Sequence, residues 1–207
     1  MTADEKIRES EYNFGKLKNA DKLSETYVYE FNSFISSSRS ILDHLLDDYI
    51  TKFNLKIPLD TKDLRAGFHK QAKTNQNAKN FINWYEGSYA KIVVEPDYGF
   101  LMKKRNIIIH RQTIRPNKFR IGIEFTKGLT VSANTETIIP ITINQNATHA
   151  NISSIDKTTG GKKDQEVEAK AILEPFLAEN PNQPIETICR LFLDKIKNVV
   201  EYAHSTF

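Results

Sequence analysis

A mainly α-helical bundle, with a small antiparallel β-element set in before its last helices, is the fold class this sequence predicts. Three observations predict it. Apolar side chains recur every three or four residues over 27–53, 81–92 and 184–200, the spacing of helices with one buried face. After Pro116 the period shortens to two, and Phe119, Ile121, Ile123 and Phe125 alternate with other side chains as they do along a strand. Finally, 207 residues, 39% of them hydrophobic and 27% charged, suffice for one hydrophobic core, so 1–207 reads as a single domain with 118–144 as a β-element within it.

Residues 3–20 form a charged, weakly amphipathic helix, and Asp21 is placed to cap the longer helix that follows. On that second helix Phe31, Phe34, Ile35, Ile41, Leu42, Leu45, Tyr49 and Phe53 share a face. Ser36, Ser37 and Ser38 interrupt the stripe, where small side chains let another helix approach closely; this is a packing role, not a catalytic one. Residues 54–58 end the helix. The polar run 61–80, rich in Lys, Asn and Gln, reads as a loop or a short exposed helix. Phe81, Trp84, Tyr85, Tyr89 and Ile92 make a second stripe that stops near Pro96, and Asp97-Tyr98-Gly99 turns the chain into Phe100. Within the β-element Thr126-Lys127-Gly128 reads as a turn, with strand-like segments at 129–131 and 139–143. Residues 144–163, with Gly160-Gly161, read as a loop and 164–180 as helix again. A final helix starts at Pro184 and presents Ile188, Leu191, Phe192, Ile196, Val199 and Val200 on one face.

Composition excludes several function classes. No apolar run approaches the roughly 20 residues that span a bilayer, and the polar start MTADEKIRESEY is neither a signal nor a transit peptide, so a cytoplasmic protein with no membrane partner is expected. Cys189 is the single cysteine; it has no intrachain partner and no cysteine cluster exists to hold zinc, and no metal or other cofactor is expected. The net charge of +3 is too small to announce nucleic-acid binding.

The local charge does announce an anionic partner. Between Tyr98 and Ile123 there is no Asp or Glu, while Lys103, Lys104, Arg105, Arg111, Arg115, Lys118 and Arg120 all fall there, around LMKKRNIIIHRQTIR. On a helix Asn106 and His110 stand one turn apart on one face, and Arg105, about 140° around from His110, has a side chain long enough to lean over. Such a set can address one phosphate. A histidine titrating near neutrality can take a proton from a ribose 2′-hydroxyl, and a guanidinium can hold the phosphate as charge gathers on it, which is metal-free RNA cleavage chemistry. Eight arginines and five histidines in 207 residues give an Arg five positions before a His about 0.2 times by chance. It occurs twice. The second pair, Arg39 and His44, sits among Asp43, Asp47 and Asp48, which repel phosphate and can pair with Arg39, so it reads as structural.

The pattern Arg105-Asn106-Ile107-Ile108-Ile109-His110 on a core helix resembles the signature of the HEPN superfamily: an arginine, a polar residue and a histidine about a turn further on. The segments FNSFISSSRSILDHL and FINWYEGSYAKIVVEPDYGFLMKKRNIIIH also resemble, in that order, the first long helix and the Trp-Tyr helix, turn and motif helix of a bacterial HEPN-like group, over about half the chain. The resemblance implies an up-and-down bundle that forms a homodimer with two motifs facing one cleft. Active members are metal-independent endoribonucleases, often toxins or defence effectors. It implies His110 as general acid/base, Arg105 as the contact to the phosphate and transition state, and Asn106 as the residue that orients them. Lys103, Lys104 and Arg111 then steer RNA electrostatically. The implied partners are RNA or a nucleotide, a second copy of the chain and, for a toxin, a cognate antitoxin protein.

Other readings stay open. Cations and a histidine at a helix C-terminus also satisfy the negative end of the helix dipole, the isoleucines being plain core. The segment NIIIHRQTI is β-branched enough for a strand. Lys103, Lys104 and Arg111 also fit an ordinary solvated face. A HEPN-like dimer can hold a nucleotide or a protein without chemistry, and a DNA-binding bundle of another family would need base-reading side chains that Ile107, Ile108 and Ile109 do not offer. Trp84 and Tyr85 can stack on a base, though their helical spacing points to core packing.

Overall fold

The structure, a computed structural model, describes residues 1–57, 64–109, 114–127, 135–138 and 149–207; at 105–109, 121–127, 135–138, 149–152 and 165–171 it describes the backbone only. The chain divides into two compact units, one of Met1–Asn117 with Leu177–Phe207 and the other of Lys118–Phe176. The first is helical and the second is a sheet.

In the helical unit α1 (Ala3–Asn19) begins with a reciprocal cap: the Thr2 hydroxyl accepts the Glu5 N–H at 3.2 Å, and the Glu5 carboxylate accepts the Thr2 N–H at 2.7 Å. α2 (Glu25–Lys52) is capped by Ser24, not by the expected Asp21. Ser24 stands one residue before the helix with an extended backbone and accepts the Tyr27 N–H, whereas Asp21 shapes the preceding turn by accepting the Leu23 N–H and the Ser24 hydroxyl. The serine interruption of α2 does meet another helix. Ser37 accepts a hydrogen bond from Asn13 of α1 at 3.1 Å, and Ser38 is fully buried.

Where a polar loop or exposed helix was expected, α3 (Leu64–Ala72) buries Phe68 and Ala72, and α4 (Gln76–Val94) starts at an Asn75 side-chain cap. α5 (Phe100–Ile109) follows, and after the sheet α6 (Ile185–Thr206) closes the unit. Phe31, Ile35, Leu42, Leu45 and Tyr85 share one buried cluster, Trp84 and Leu191 pack on it partly exposed, and the side chain of Ile107 lies outside the described residues. Tyr49 stacks on Phe81 at 4.0 Å between ring centroids, and its hydroxyl donates to the Ala203 carbonyl, so α2, α4 and α6 meet at one aromatic centre.

The sheet is larger than the sequence predicts. β1 (Lys118–Lys127), β2 (Thr135–Ile138), β3 (His149–Asp156) and β4 (Lys162–Leu177) form the antiparallel order β1-β4-β3-β2, and β5 (Asn180–Pro184) pairs β4. β1 runs through Lys127, where a turn was expected; Gly128 and the strand segments expected at 129–131 and 139–143 lie outside the described residues. The expected loop 144–163 holds β3, and Gly160, at φ +67, is the left-handed residue of the hairpin from β3 to β4. The expected helix 164–180 is strand β4, whose C-terminal half pairs β1 from Lys118↔Phe176 to Lys127↔Glu168 while its N-terminal half pairs β3. Glu, Ala, Lys and Leu favoured a helix there by propensity, a bias of tenths of a kcal/mol per residue that pairing on both edges overrides. The fold is therefore mainly helical with a small antiparallel sheet before a single last helix, in place of several last helices. Among the described residues no helix is long and apolar enough to cross a membrane.

Candidate functional site

The turn into α5 is set by a glycine. A Cβ on Gly99 would lie 2.5–2.7 Å from the backbone oxygens of Ile92, Val93 and Glu95, so only glycine lets the chain fold back against the C-terminal end of α4. The turn is then pinned by residues of β5: Asn180 donates to the Asp97 carbonyl at 3.2 Å, and Gln183 donates to the Asp97 carboxylate at 3.1 Å. Leu101 and Met102 seat α5 in the core.

The far side of the motif is pinned as well. Asn32, buried in the middle of α2, accepts the Ile114 N–H at 3.0 Å and donates to the Ile114 carbonyl at 3.1 Å. Arg115 reaches Glu25 with two hydrogen bonds of 2.6 and 2.9 Å. The segment that carries the motif thus leaves from one anchored point and returns to another on α2.

Of the residues singled out in the sequence, Arg105 and Asn106 lie in the helical backbone of α5, with their side chains outside the description. His110 and Arg111 lie outside the described residues. Lys103 is exposed. Lys104 is not a free cation: its ammonium sits 2.6 Å from the Glu179 carboxylate, and its side chain is only 12% exposed. Burial works against ionisation of Glu179, but the bond from Lys104, a backbone hydrogen bond and the Lys104 charge outweigh it and hold the carboxyl below its ordinary value.

The window without acids in the sequence is therefore not without acids in space. The fold brings Glu179 to Lys104 and Glu25 to Arg115, and the Arg115 hydrogen bond lowers the Glu25 pKa. The Arg120 guanidinium lies 4.9 Å from the ring centre of Phe176. The second Arg-His pair is built into packing as expected. Arg39 is buried, bonds Asp43 at 2.8 Å and lies over the Tyr89 ring, which Arg65 also approaches; His44 lies 3.9 Å from Asp47.

Sequence reasoning missed Asn32, Asp97, Glu179, Asn180 and Gln183, which position α5 and the chain beyond it. Asn32 had a local signal, a carboxamide inside an otherwise apolar helix face; the others act across 75 to 86 residues of chain, beyond any periodicity. No family model, no curated protein and no solved structure matches this chain.

Proposed function

We propose that the chain is a metal-independent endoribonuclease of HEPN type, a cytoplasmic, toxin-like or defence-like homodimer that cuts single-stranded RNA in a cleft shared by two copies. The observation that supports this reading is that 100–109 is helix and not strand, which gives Arg105 and Asn106 the helical backbone that the motif spacing assumes. His110 takes the proton of a ribose 2′-hydroxyl, the 2′-oxygen attacks the adjacent phosphorus, and the 5′-oxygen leaves with a proton returned to it. The products are a 2′,3′-cyclic phosphate and a 5′-hydroxyl. Arg105 contacts the phosphate oxygens as charge builds, and Asn106 orients the pair.

The test is a time course on mixed single-stranded RNA in EDTA with the wild-type chain and His110→Ala. The expected result is cleavage by the former to cyclic-phosphate ends, a rate about 10²–10⁴-fold lower in the variant, and intact DNA with both. Arg105→Lys is also expected to be slow, since an ammonium lacks the paired contacts of a guanidinium. Equal cleavage by wild type and His110→Ala, or none by either, overturns the proposal.

The pairing of Lys104 and Arg115 favours a second reading, a HEPN-like nucleotide-binding or protein-interaction module without chemistry, because it leaves fewer cations for a polyanion. A nucleotidyltransferase-like antitoxin encoded next door would favour the toxin.

A further inference from the structure

A groove between α4 and α6 is lined by aromatic, polar and basic side chains. Trp84, Ser88 and Lys91 line it from α4, while Lys195, Asn198 and Tyr202 line it from α6, around a cavity of about 200 Å³. Each helix supplies residues at i, i+3 or i+4, and i+7, which is a single face. The helices run in opposite senses, since Trp84 meets Tyr202 near the end of α6, while Tyr98, four residues past the end of α4, meets Phe192 nearer the start of α6. Both lysines therefore lie toward one end and both aromatic rings at the other, about 10 Å apart by the helical rise.

Each end has its own chemistry. Trp84 and Tyr202 are stacked at 5.2 Å between centroids and 19° between planes, and Tyr202 remains 51% exposed. Among the described residues neither Lys91 nor Lys195 has an ion-pair partner. Between the ends, the Ser88 hydroxyl and the Asn198 carboxamide offer both donors and acceptors. The cavity is smaller than an ordinary drug-sized site, with room for one base and an open side for what is attached to it.

We propose that this groove binds one nucleotide unit, its base stacked on the Trp84–Tyr202 pair and its phosphate held by Lys91 and Lys195. The unit is either a free nucleotide or a residue of single-stranded RNA. An anion alone uses only the lysines, and an apolar peptide leaves them unpaired; a nucleotide satisfies both ends. The groove is built without residues of α5, so the proposal stands whether or not the chain cuts RNA.

Trp84 is the only tryptophan in the chain, which makes its fluorescence a local probe. The experiment uses the His110→Ala chain, so that cleavage cannot consume the ligand, and titrates it with adenosine 5′-monophosphate, adenosine, inorganic phosphate and a short oligoadenylate. The expected result is a saturable fluorescence change with the nucleotide, a weaker one with adenosine and none with phosphate. Tighter binding of the oligoadenylate identifies a strand as the natural ligand; equal or weaker binding identifies a free nucleotide. By calorimetry, Tyr202→Ala weakens binding about 5- to 150-fold, the equivalent of one lost stack. Lys91→Gln combined with Lys195→Gln lowers the logarithmic salt slope for the oligoadenylate by about 1.4, as loss of two phosphate contacts does. No response to either nucleotide ligand, an equal response to phosphate alone, or affinities unchanged in both variants with unchanged melting overturns the proposal. Nucleotide binding here together with absent cleavage by wild type overturns the ribonuclease reading and leaves this one standing.

Discussion

Asn32 holds Ile114 by its N–H and its C=O at once, in a buried setting where water cannot replace either bond. Asn32→Leu strands both groups, and a loss of about 1–3 kcal/mol in urea unfolding is expected. If the anchor serves the motif, cleavage falls further than RNA affinity does, which parallel rate and binding measurements separate. The Lys104–Glu179 pair sets a pH dependence. Because the folded Glu179 pKa lies below its unfolded value, the stabilisation is complete above the unfolded value and disappears as pH falls through the folded one. Wild type and Glu179→Gln should therefore differ in melting temperature at pH 7 and converge below the ordinary glutamate range of about 4.3. The same pair divides the lysines. Lys103→Ala should flatten the salt dependence of RNA binding by close to one counterion, and Lys104→Ala by less, because Lys104 already has an anion.

At the scale of elements, Gly99 decides where α5 points. Gly99→Ala places a methyl group against three carbonyl oxygens at the C-terminal end of α4, those of Ile92, Val93 and the cap residue Glu95, and a cost of about 1–3 kcal/mol is expected by chemical denaturation, together with reduced cleavage. The helices of the first unit were legible because burial leaves a period in the sequence: Phe31, Ile35, Leu42 and Leu45 are spaced as one face and lie in one core. α3 was not, since it buries only Phe68 and Ala72 and leaves too sparse a pattern. β4 failed for another reason. Its helix-forming residues speak locally, while its partners β1 and β3 are set by pairing that no local window contains. Pro175 was the overlooked signal: it would break the interior of a helix, yet it is tolerated opposite Phe119 near the end of a strand. At the candidate site the residue types were legible and the neighbours were not, because Glu25 and Glu179 reach the basic window only through the fold.

For the whole molecule, the proposed ribonuclease reading predicts a two-fold dimer. Light scattering at micromolar concentration should return twice the 23.8 kDa chain mass, and a strictly monomeric species counts against a composite site. A separate consequence follows from the way the sheet joins the helices. Lys118 and Phe176, the first and last residues of the sheet unit, are partners on adjacent strands, so their Cα atoms lie about 5 Å apart. The unit leaves and rejoins the helical chain at a single splice point. Cutting out 118–176 and joining 117 to 177 through two or three glycines should leave a helical remnant that melts cooperatively, with the near-ultraviolet signature of its aromatic centre retained. That outcome would make the sheet a cassette, exchangeable for another module whose ends also meet, so that what this chain attaches to its helices could change while the helices themselves stay the same.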